Sequence, residues 1–185
     1  MNGFAPQLLT IARESIEHGL QHARCFDLDT AVFPEELQAP RACFVTLKSG
    51  QALRGCIGSL EAVRPLAADI HENAYAAAFR DPRFAPLAAW EWPAVRLSLS
   101  ILSSPEVMPV ADEAALLTAL RPGIDGVILE YGQRRATFLP AVWEMLPDPI
   151  QFLLQLKLKA GLPEEFWAEE LRIHRYTATQ IDAHS

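Results

Sequence analysis

The hydrophobic positions near the start of the chain recur every three or four residues, with polar residues between them. This spacing is typical of an amphipathic helix, which we predict over residues 6–23. The apolar positions on one side of that helix are Leu8, Leu9, Ala12, Ile16 and Leu20. The polar, proline-bearing segment over residues 27–41 predicts an irregular surface loop.

The pattern then changes to that of strands. Residues 42–47 and 52–60 are rich in strand-forming residues and flank a turn-forming segment, which predicts a β-hairpin. A two-residue loop at Ser49-Gly50 would place Cys43 opposite Cys56. That register would bring the two thiols within disulfide reach.

The remaining elements follow from the same two periodicities. We predict a helix over residues 63–80, a strand over 95–101, a short helix from its Asp112 cap to Leu120, a hairpin of 126–131 and 135–139, a helix over 149–160 that ends at Gly161, and an edge strand over 171–176. A strand-helix-strand order occurs over residues 42–102 and more weakly over 95–139. Because tight turns join neighbouring strands, the sheet should be mainly antiparallel or mixed and the fold class α+β.

Composition and charge narrow the functional classes. The 185 residues are 50% apolar and 21% charged, which is the balance of a globular domain. The net charge of −7, without a visible basic cluster, disfavours nucleic acid as a partner. We expect no membrane association and a cytoplasmic protein, because no apolar run approaches the ~20 residues of a membrane span and the amino terminus lacks a signal-peptide pattern. Three cysteines without a disulfide spacing agree with a reducing compartment.

Seven stretches, in one order, resemble the AMMECR1 domain family. They are FVTL (44–47), LRGCIG (53–58), AFRDPRFAPL (78–87), SILSSPE (100–106), GIDGVIL (123–129), ATFLPAVW (136–143) and LKAGLPEEFW (158–167). The resemblance covers about residues 5–175, which leaves residues 176–185 as a tail. It implies a compact α+β domain of two unequal lobes with duplicated strand and helix units, in agreement with the periodicities.

The resemblance implies partners rather than a reaction. Bacterial and archaeal members of the family resemble a component of the AmmeMemoRadiSam set, found beside a Memo-like protein and a radical-SAM-type protein. One local departure is Lys157, where a cysteine is expected in many relatives, so no role of that thiol transfers to this chain. No glycine-rich nucleotide fingerprint occurs, and we expect no bound NAD, FAD or ATP.

The candidate chemistry lies in the RGCIG motif. Arg54 beside Cys56 would favour the thiolate, and Gly55 and Gly58 would admit a substrate, or another stretch of backbone, close to the sulfur. The alternative is structural: a packed thiol, glycines at a bulge, and Arg54 paired with a carboxylate such as Asp81. The motif is not a nucleophile elbow, because that turn needs a glycine two positions before the nucleophile.

Further residues are candidates for the same cleft. Asp81 and Arg83 follow a helix and would either bind a polar substrate or satisfy the loop backbone. His71 lies on the second predicted helix, where a role as a base for Cys56 is conceivable. Glu130 and Lys159 lie in family-like segments and would complete a polar pocket for a small ligand.

A metal site is the weaker interpretation of another cluster. His18 and His22 stand four residues apart on the first helix, with Cys25 three residues further on. Without a third ligand of clear spacing we predict no metal site and read both imidazoles as solvated helix residues.

Two functions from different classes follow. In the first, the chain is an accessory or binding component that acts with Memo-like and radical-SAM-type proteins and carries a cleft at the RGCIG motif. In the second, it is an enzyme that uses Cys56 as nucleophile or general acid on a small anionic or carbonyl substrate. We favour the binding component, because the sequence assembles no complete catalytic triad, phosphate loop or metal site.

Overall fold

The computed structural model describes residues 2–183 of the chain. Within those residues the α-helices are α1 (Ala5–His22), α2 (Glu35–Gln38), α3 (Leu66–Phe79), α4 (Glu113–Ala119) and α5 (Pro149–Lys159). The strands are β1 (Cys43–Ser49), β2 (Ala52–Gly58), β3 (Val95–Leu102), β4 (Glu106–Val107), β5 (Gly126–Tyr131), β6 (Arg134–Phe138), β7 (Arg172–Tyr176) and β8 (Ala178–Asp182). The chain folds as two compact units, residues 2–102 with 179–183 and residues 103–178. The two antiparallel sheets and their helices confirm the α+β class.

The first unit is a four-stranded sheet covered on one face by α1 and α3. Its strand order is β2-β1-β3-β8. The predicted apolar side of α1 is confirmed, with Leu8, Ala12 and Ile16 completely buried. They pack with the inward residues of β1 and β3, such as Val45 and Leu99, in one hydrophobic core. The alternation of β3 is likewise confirmed.

The β1–β2 hairpin turns at Gly50 and Gln51, one residue later than the sequence predicted. Gly50 has a φ of +60°, and glycine adopts this left-handed conformation without the steric strain of a Cβ. Further along β2 the register shifts by one residue, with Arg54 as the extra residue of a β-bulge.

These two departures make the predicted pairing of Cys43 with Cys56 wrong. Cys56 lies opposite Thr46. The Ser59 N–H donates to the Cys43 carbonyl at 2.9 Å, so the position opposite Cys43 is Ser59, three residues beyond Cys56. Both cysteines are free thiols, and the disulfide that the predicted register allowed does not form.

A buried carboxylate joins the start of α3 to the sheet. Asp69 is completely buried in the first turn of the helix. It accepts hydrogen bonds from the Cys43 N–H, the Ser59 hydroxyl, the Arg64 Nε and the Asn73 amide, at 2.7–3.1 Å. These donors offset the desolvation of the charge and fix α3 against β1.

The second unit is a four-stranded sheet of order β4-β7-β5-β6 with its own core. The Trp143 indole stacks on the Phe152 ring of α5 with centroids 3.8 Å apart. The predicted Asp112 cap of α4 is confirmed, since its carboxylate accepts the Ala115 N–H at 2.8 Å. Gly161 follows α5 with a φ of +72°, as a helix-ending glycine does.

Two predictions about the surface elements are wrong. β7 lies between β4 and β5 rather than at an edge, because two-residue β4 pairs with its outer side. The segment over residues 27–41 is not wholly irregular, since it contains a short helical turn and α2, where Leu37 is completely buried. None of the helices formed by residues 2–183 has the length and apolar content that a membrane crossing requires.

Replacing Asp69 by alanine removes the carboxylate while its buried donors remain. We expect the free energy of unfolding to fall by about 3 to 5 kcal/mol, the usual effect of breaking a buried charged network. Urea denaturation measures this, with the exposed Asp27→Ala as control. A loss of only a few tenths of a kcal/mol for Asp69→Ala would show that the network contributes nothing to the fold.

Candidate functional site

The Cys56 thiol lies on β2 with a threonine as its neighbour. Its Sγ is 3.4 Å from the Thr46 Oγ1 on the facing strand, and the residue is partly buried. The Cys56 main chain makes the stronger contacts. Its N–H donates to the Asp81 carboxylate at 2.9 Å, and its carbonyl accepts from Arg83 at 3.0 Å. The motif therefore binds the segment after α3 through its backbone.

Asp81 is a saturated carboxylate. It is 3% exposed and accepts four hydrogen bonds, one from Cys56 and three from the N–H, Nε and Nη2 of Arg83, at 2.7–3.1 Å. The Arg83 guanidinium, helped by the two backbone N–H groups, holds the pKa of Asp81 well below its ordinary value. Asp81 is therefore ionised at neutral pH and has no proton to donate as a general acid.

Arg54 forms an ion pair with Glu91, a residue that the sequence analysis did not identify. Its Nε and Nη2 donate to the two carboxylate oxygens of Glu91 at 2.8 and 2.9 Å. Glu91 also accepts the Ala88 N–H at 2.8 Å. The Arg54 guanidinium lowers the pKa of Glu91 to about 2. The predicted alternative partner of Arg54, Asp81, is wrong, because Arg83 and Cys56 occupy that carboxylate.

The two glycines of the motif leave room for the chain's own atoms. A Cβ on Gly55 would lie 2.1 Å from the Ala77 carbonyl oxygen of α3. A Cβ on Gly58 would lie 2.3 Å from the Phe44 ring and 2.6 Å from the Cys43 carbonyl oxygen. The predicted space beside the sulfur is therefore filled, at both positions, by protein.

The segment from Asp81 to Glu91 is consequently fastened to β2 at both ends, and we call it the clamped loop. Within it the Phe84 ring faces the guanidinium groups of Arg54 and Arg83, at 6.0 and 5.5 Å from its centroid. Just before the second fastening, Trp90 is 82% exposed. Because the loop is already held, its backbone has little conformational entropy left to lose when a partner binds at the indole.

The other candidate residues of the predicted pocket lie in the second unit. The Arg135 Nε donates to Glu130 at 2.9 Å across the β5–β6 ladder. The Lys159 ammonium donates to the Thr137 carbonyl at 3.0 Å and lies over the Phe138 ring. Each side chain has a partner within its own unit.

Lys157, where the family resemblance suggested a cysteine, is a completely buried side chain of α5. Its ammonium donates to the Glu113 carboxylate at 2.6 Å and to the Glu164 carbonyl at 2.9 Å. These contacts join α5 to the start of α4 and to the segment after α5, so this position serves packing in this chain.

His71 contacts Cys25 rather than Cys56. Its Nε2 is 2.8 Å from the Phe26 carbonyl oxygen and 3.1 Å from the Cys25 Sγ. Because a carbonyl oxygen only accepts, Nε2 carries the proton and is not a base for either thiol. Burial raises the pKa of the Cys25 thiol, so the pair is a donor–acceptor contact rather than an activated nucleophile.

The histidines of α1 likewise take part in ring packing. The ring centroids of His18 and His22 are 4.3 Å apart. The His18 ring also packs edge-on against the Phe26 ring, with their centroids 5.0 Å apart. Across residues 2–183 no three His, Cys, Asp or Glu side chains are arranged to hold a metal ion.

The chain is similar to known proteins over the residues of both units. A family model described as AMMECR1 matches residues 9–181. Protein MJ0810 of Methanocaldococcus jannaschii is 40% identical over 150 residues, 79% of this chain and 75% of that protein. A protein of Methanothermobacter thermautotrophicus is 38% identical over 173 residues, 92% and 90% of the two chains. The crystal structure of the uncharacterized protein PH0010 from Pyrococcus horikoshii is similar with a TM-score of 0.81 at 30% identity, covering 96% of this chain and 90% of that one.

The Arg54–Glu91 pair predicts a specific dependence of stability on pH. The pKa of Glu91 is lower in the folded chain than its ordinary value of 4.5, so the pair stabilises the fold above that pH and the contribution is lost as the pH falls toward about 2. We expect Glu91→Gln to be less stable than the wild type near neutral pH, with the difference shrinking over this acid range.

Urea unfolding at a series of pH values measures that difference. Glu14→Gln, which changes an exposed glutamate of α1, is the control and should follow the wild type throughout. A Glu91→Gln deficit that persists unchanged into acid would contradict the assigned role of the ion pair.

Proposed function

The chain belongs to the AMMECR1 family, and we propose that it is an accessory, binding component that acts with a Memo-like protein and a radical-SAM-type protein. Its RGCIG strand is the scaffold of the docking surface, and the clamped loop is the part that meets the partner. The family resemblance supports the choice of partners, and the geometry of the clamped loop supports binding over catalysis.

One observation carries this proposal: the charged groups of Arg54 and Asp81 are engaged in the hydrogen bonds that hold the clamped loop. Arg54 is bonded to Glu91 through two hydrogen bonds, and Asp81 accepts four. A catalytic acid or base needs a proton or a lone pair that is free to meet the substrate. Side chains that fasten a loop supply instead a rigid surface, on which Trp90 is the exposed aromatic anchor.

An enzyme that uses Cys56 is the second candidate, and the partial exposure of this residue favours it. The Arg83 side chain is 53% exposed, and its guanidinium would be a cation close to an anionic or carbonyl substrate at that thiol, because it reaches the Cys56 carbonyl. The two candidates differ in what they need from Cys56. Binding needs only the backbone of this residue, whereas catalysis needs its sulfur.

Titration calorimetry with the Memo-like and the radical-SAM-type protein of the same organism separates these roles. We expect Trp90→Ala to weaken the complex by about thirtyfold, as loss of an aromatic hot spot does. Cys56→Ala retains the N–H that binds Asp81, and its affinity should stay within about twofold of the wild type.

The matched control is Met145→Ala, which removes an apolar side chain, 76% exposed, from the second unit. It should leave the affinity unchanged. Failure of the wild type to bind either protein would refute the proposed partners. A Cys56→Ala variant that still forms the complex but loses the pathway's output would establish the enzyme instead.

A further inference from the structure

A cavity of about 440 Å³ lies between α3 and the segment that follows α1. Its lining residues fall within 25–28 and 64–80, outside the RGCIG strand and the clamped loop. A volume of this size is in the range of pockets that bind small molecules, about 300–1,000 Å³. The apolar part of its lining consists of Phe26, Leu28, Ala68, Tyr75 and Ala76.

The wall opposite α3 is held in place by two side chains of that helix. His71, which is 2% exposed, donates from its Nε2 to the Phe26 carbonyl at 2.8 Å. The Tyr75 hydroxyl donates to the Ala23 carbonyl at 3.3 Å. The Phe26 ring also packs edge-on against the His71 ring, with their centroids 4.4 Å apart. Because this wall is already ordered, a ligand does not have to pay the entropy of ordering it.

The cavity has one unpaired charge of each sign. Four charged side chains line it, and two of these, Arg64 and Glu72, form an ion pair with each other. The other two are Asp27 and Arg80. Among the residues that the structure describes, neither Asp27 nor Arg80 forms an ion pair. A ligand in the cavity therefore meets a free carboxylate and a free guanidinium.

The Arg80 guanidinium is positioned by an aromatic ring instead of a carboxylate. Its central carbon lies 4.9 Å from the centroid of the Tyr75 ring. Burial raises the pKa of the Cys25 thiol, which also lines the cavity, and Arg80 opposes that rise, so the guanidinium lies near the thiol. An arginine over a ring keeps its N–H groups available for a carboxylate, which it can bind through two parallel hydrogen bonds.

We infer that this cavity binds a small apolar amino acid, with its carboxylate bound by Arg80, its ammonium group bound by Asp27 and its side chain against Phe26 and Tyr75. A ligand that is only anionic would be attracted by Arg80 but repelled by Asp27, and the reverse holds for a ligand that is only cationic. A zwitterion complements both charges. The inference goes beyond the proposed function, since no residue of the clamped loop takes part in it.

NMR saturation-transfer titration of the full chain with the apolar and aromatic L-amino acids tests the class of ligand. We expect binding of at least one of them, L-leucine and L-phenylalanine being the first probes, at concentrations up to roughly 10 mM. Inorganic phosphate, which is only anionic, should bind more weakly than that amino acid.

Two variants that remove one charge each assign the two ends of the ligand. Arg80→Gln and Asp27→Asn should each weaken binding of the amino acid by about tenfold, because each removes one charged partner. The same molecule without its ammonium group should respond to Arg80→Gln and not to Asp27→Asn. The corresponding amine without its carboxylate should show the opposite response.

Both substitutions are at exposed positions, and circular dichroism checks that the variants fold. The matched controls are Arg172→Gln and Glu14→Gln, which remove an exposed charge elsewhere and should bind like the wild type. Failure of every apolar amino acid to bind, or binding that neither Arg80→Gln nor Asp27→Asn weakens, would overturn the inference. Tighter binding of phosphate or of the amine would also overturn it, because the cavity would then select a single charge.

The inference and the proposed function fail separately. Trp90→Ala, which is expected to weaken the protein complex, changes no residue that lines this cavity and should leave amino-acid binding unchanged. A loss of amino-acid binding in Trp90→Ala would place the ligand at the clamped loop and overturn the inference.

Discussion

The hydrogen bond from the Cys56 N–H to the Asp81 carboxylate is the constraint on which the candidate surface depends. It joins β2, an edge strand of the first sheet, to the segment that follows α3, and it holds because Arg83 keeps that carboxylate ionised. A second fastening, from Arg54 to Glu91, closes the other end of the segment. Between the two fastenings the clamped loop presents Trp90 to solvent.

This arrangement changes the meaning of the most recognisable motif in the sequence. RGCIG has the composition of an activated thiol, with an arginine and two glycines around a cysteine. In the fold the arginine binds a distant carboxylate, and the glycines admit the α3 backbone and an aromatic ring. Spacing along a strand thus predicts which residues are neighbours, but the bulge and the long side chains decide which of them interact.

The elements of the fold could be predicted because their periodicities are local. The limits of α1, β3 and the second hairpin follow from apolar spacing and turn residues alone. The register of the first hairpin could not be predicted in this way, because the turn at Gly50 and the bulge at Arg54 together displace it by three residues. Neither signal is visible in a pattern of apolar and polar positions.

The sequence predicted which motif forms the candidate site, but it did not predict which side chains elsewhere in the chain contact that motif. Glu91 lies 37 residues from Arg54, and Cys25 lies 46 from His71, so sequence spacing does not reveal either contact. One weak feature of the sequence singles out Glu91: it is the acidic residue between two tryptophans in a proline-rich loop. What it binds is decided by the path of the chain after α3, and only the folded structure contains that path.

Hydrogen exchange of the clamped-loop amides tests the central claim, that the motif holds this loop, most directly. The Leu87, Ala88 and Glu91 N–H groups are all bonded in the fold and report on its opening. In Arg54→Gln we predict that their exchange accelerates by about tenfold or more, because Glu91 loses its guanidinium. In Cys56→Ala, which retains the backbone donor to Asp81, the rates should match the wild type. Unchanged exchange in Arg54→Gln, or equal acceleration in Cys56→Ala, would contradict the claim that the backbone and Arg54 of the motif hold this loop.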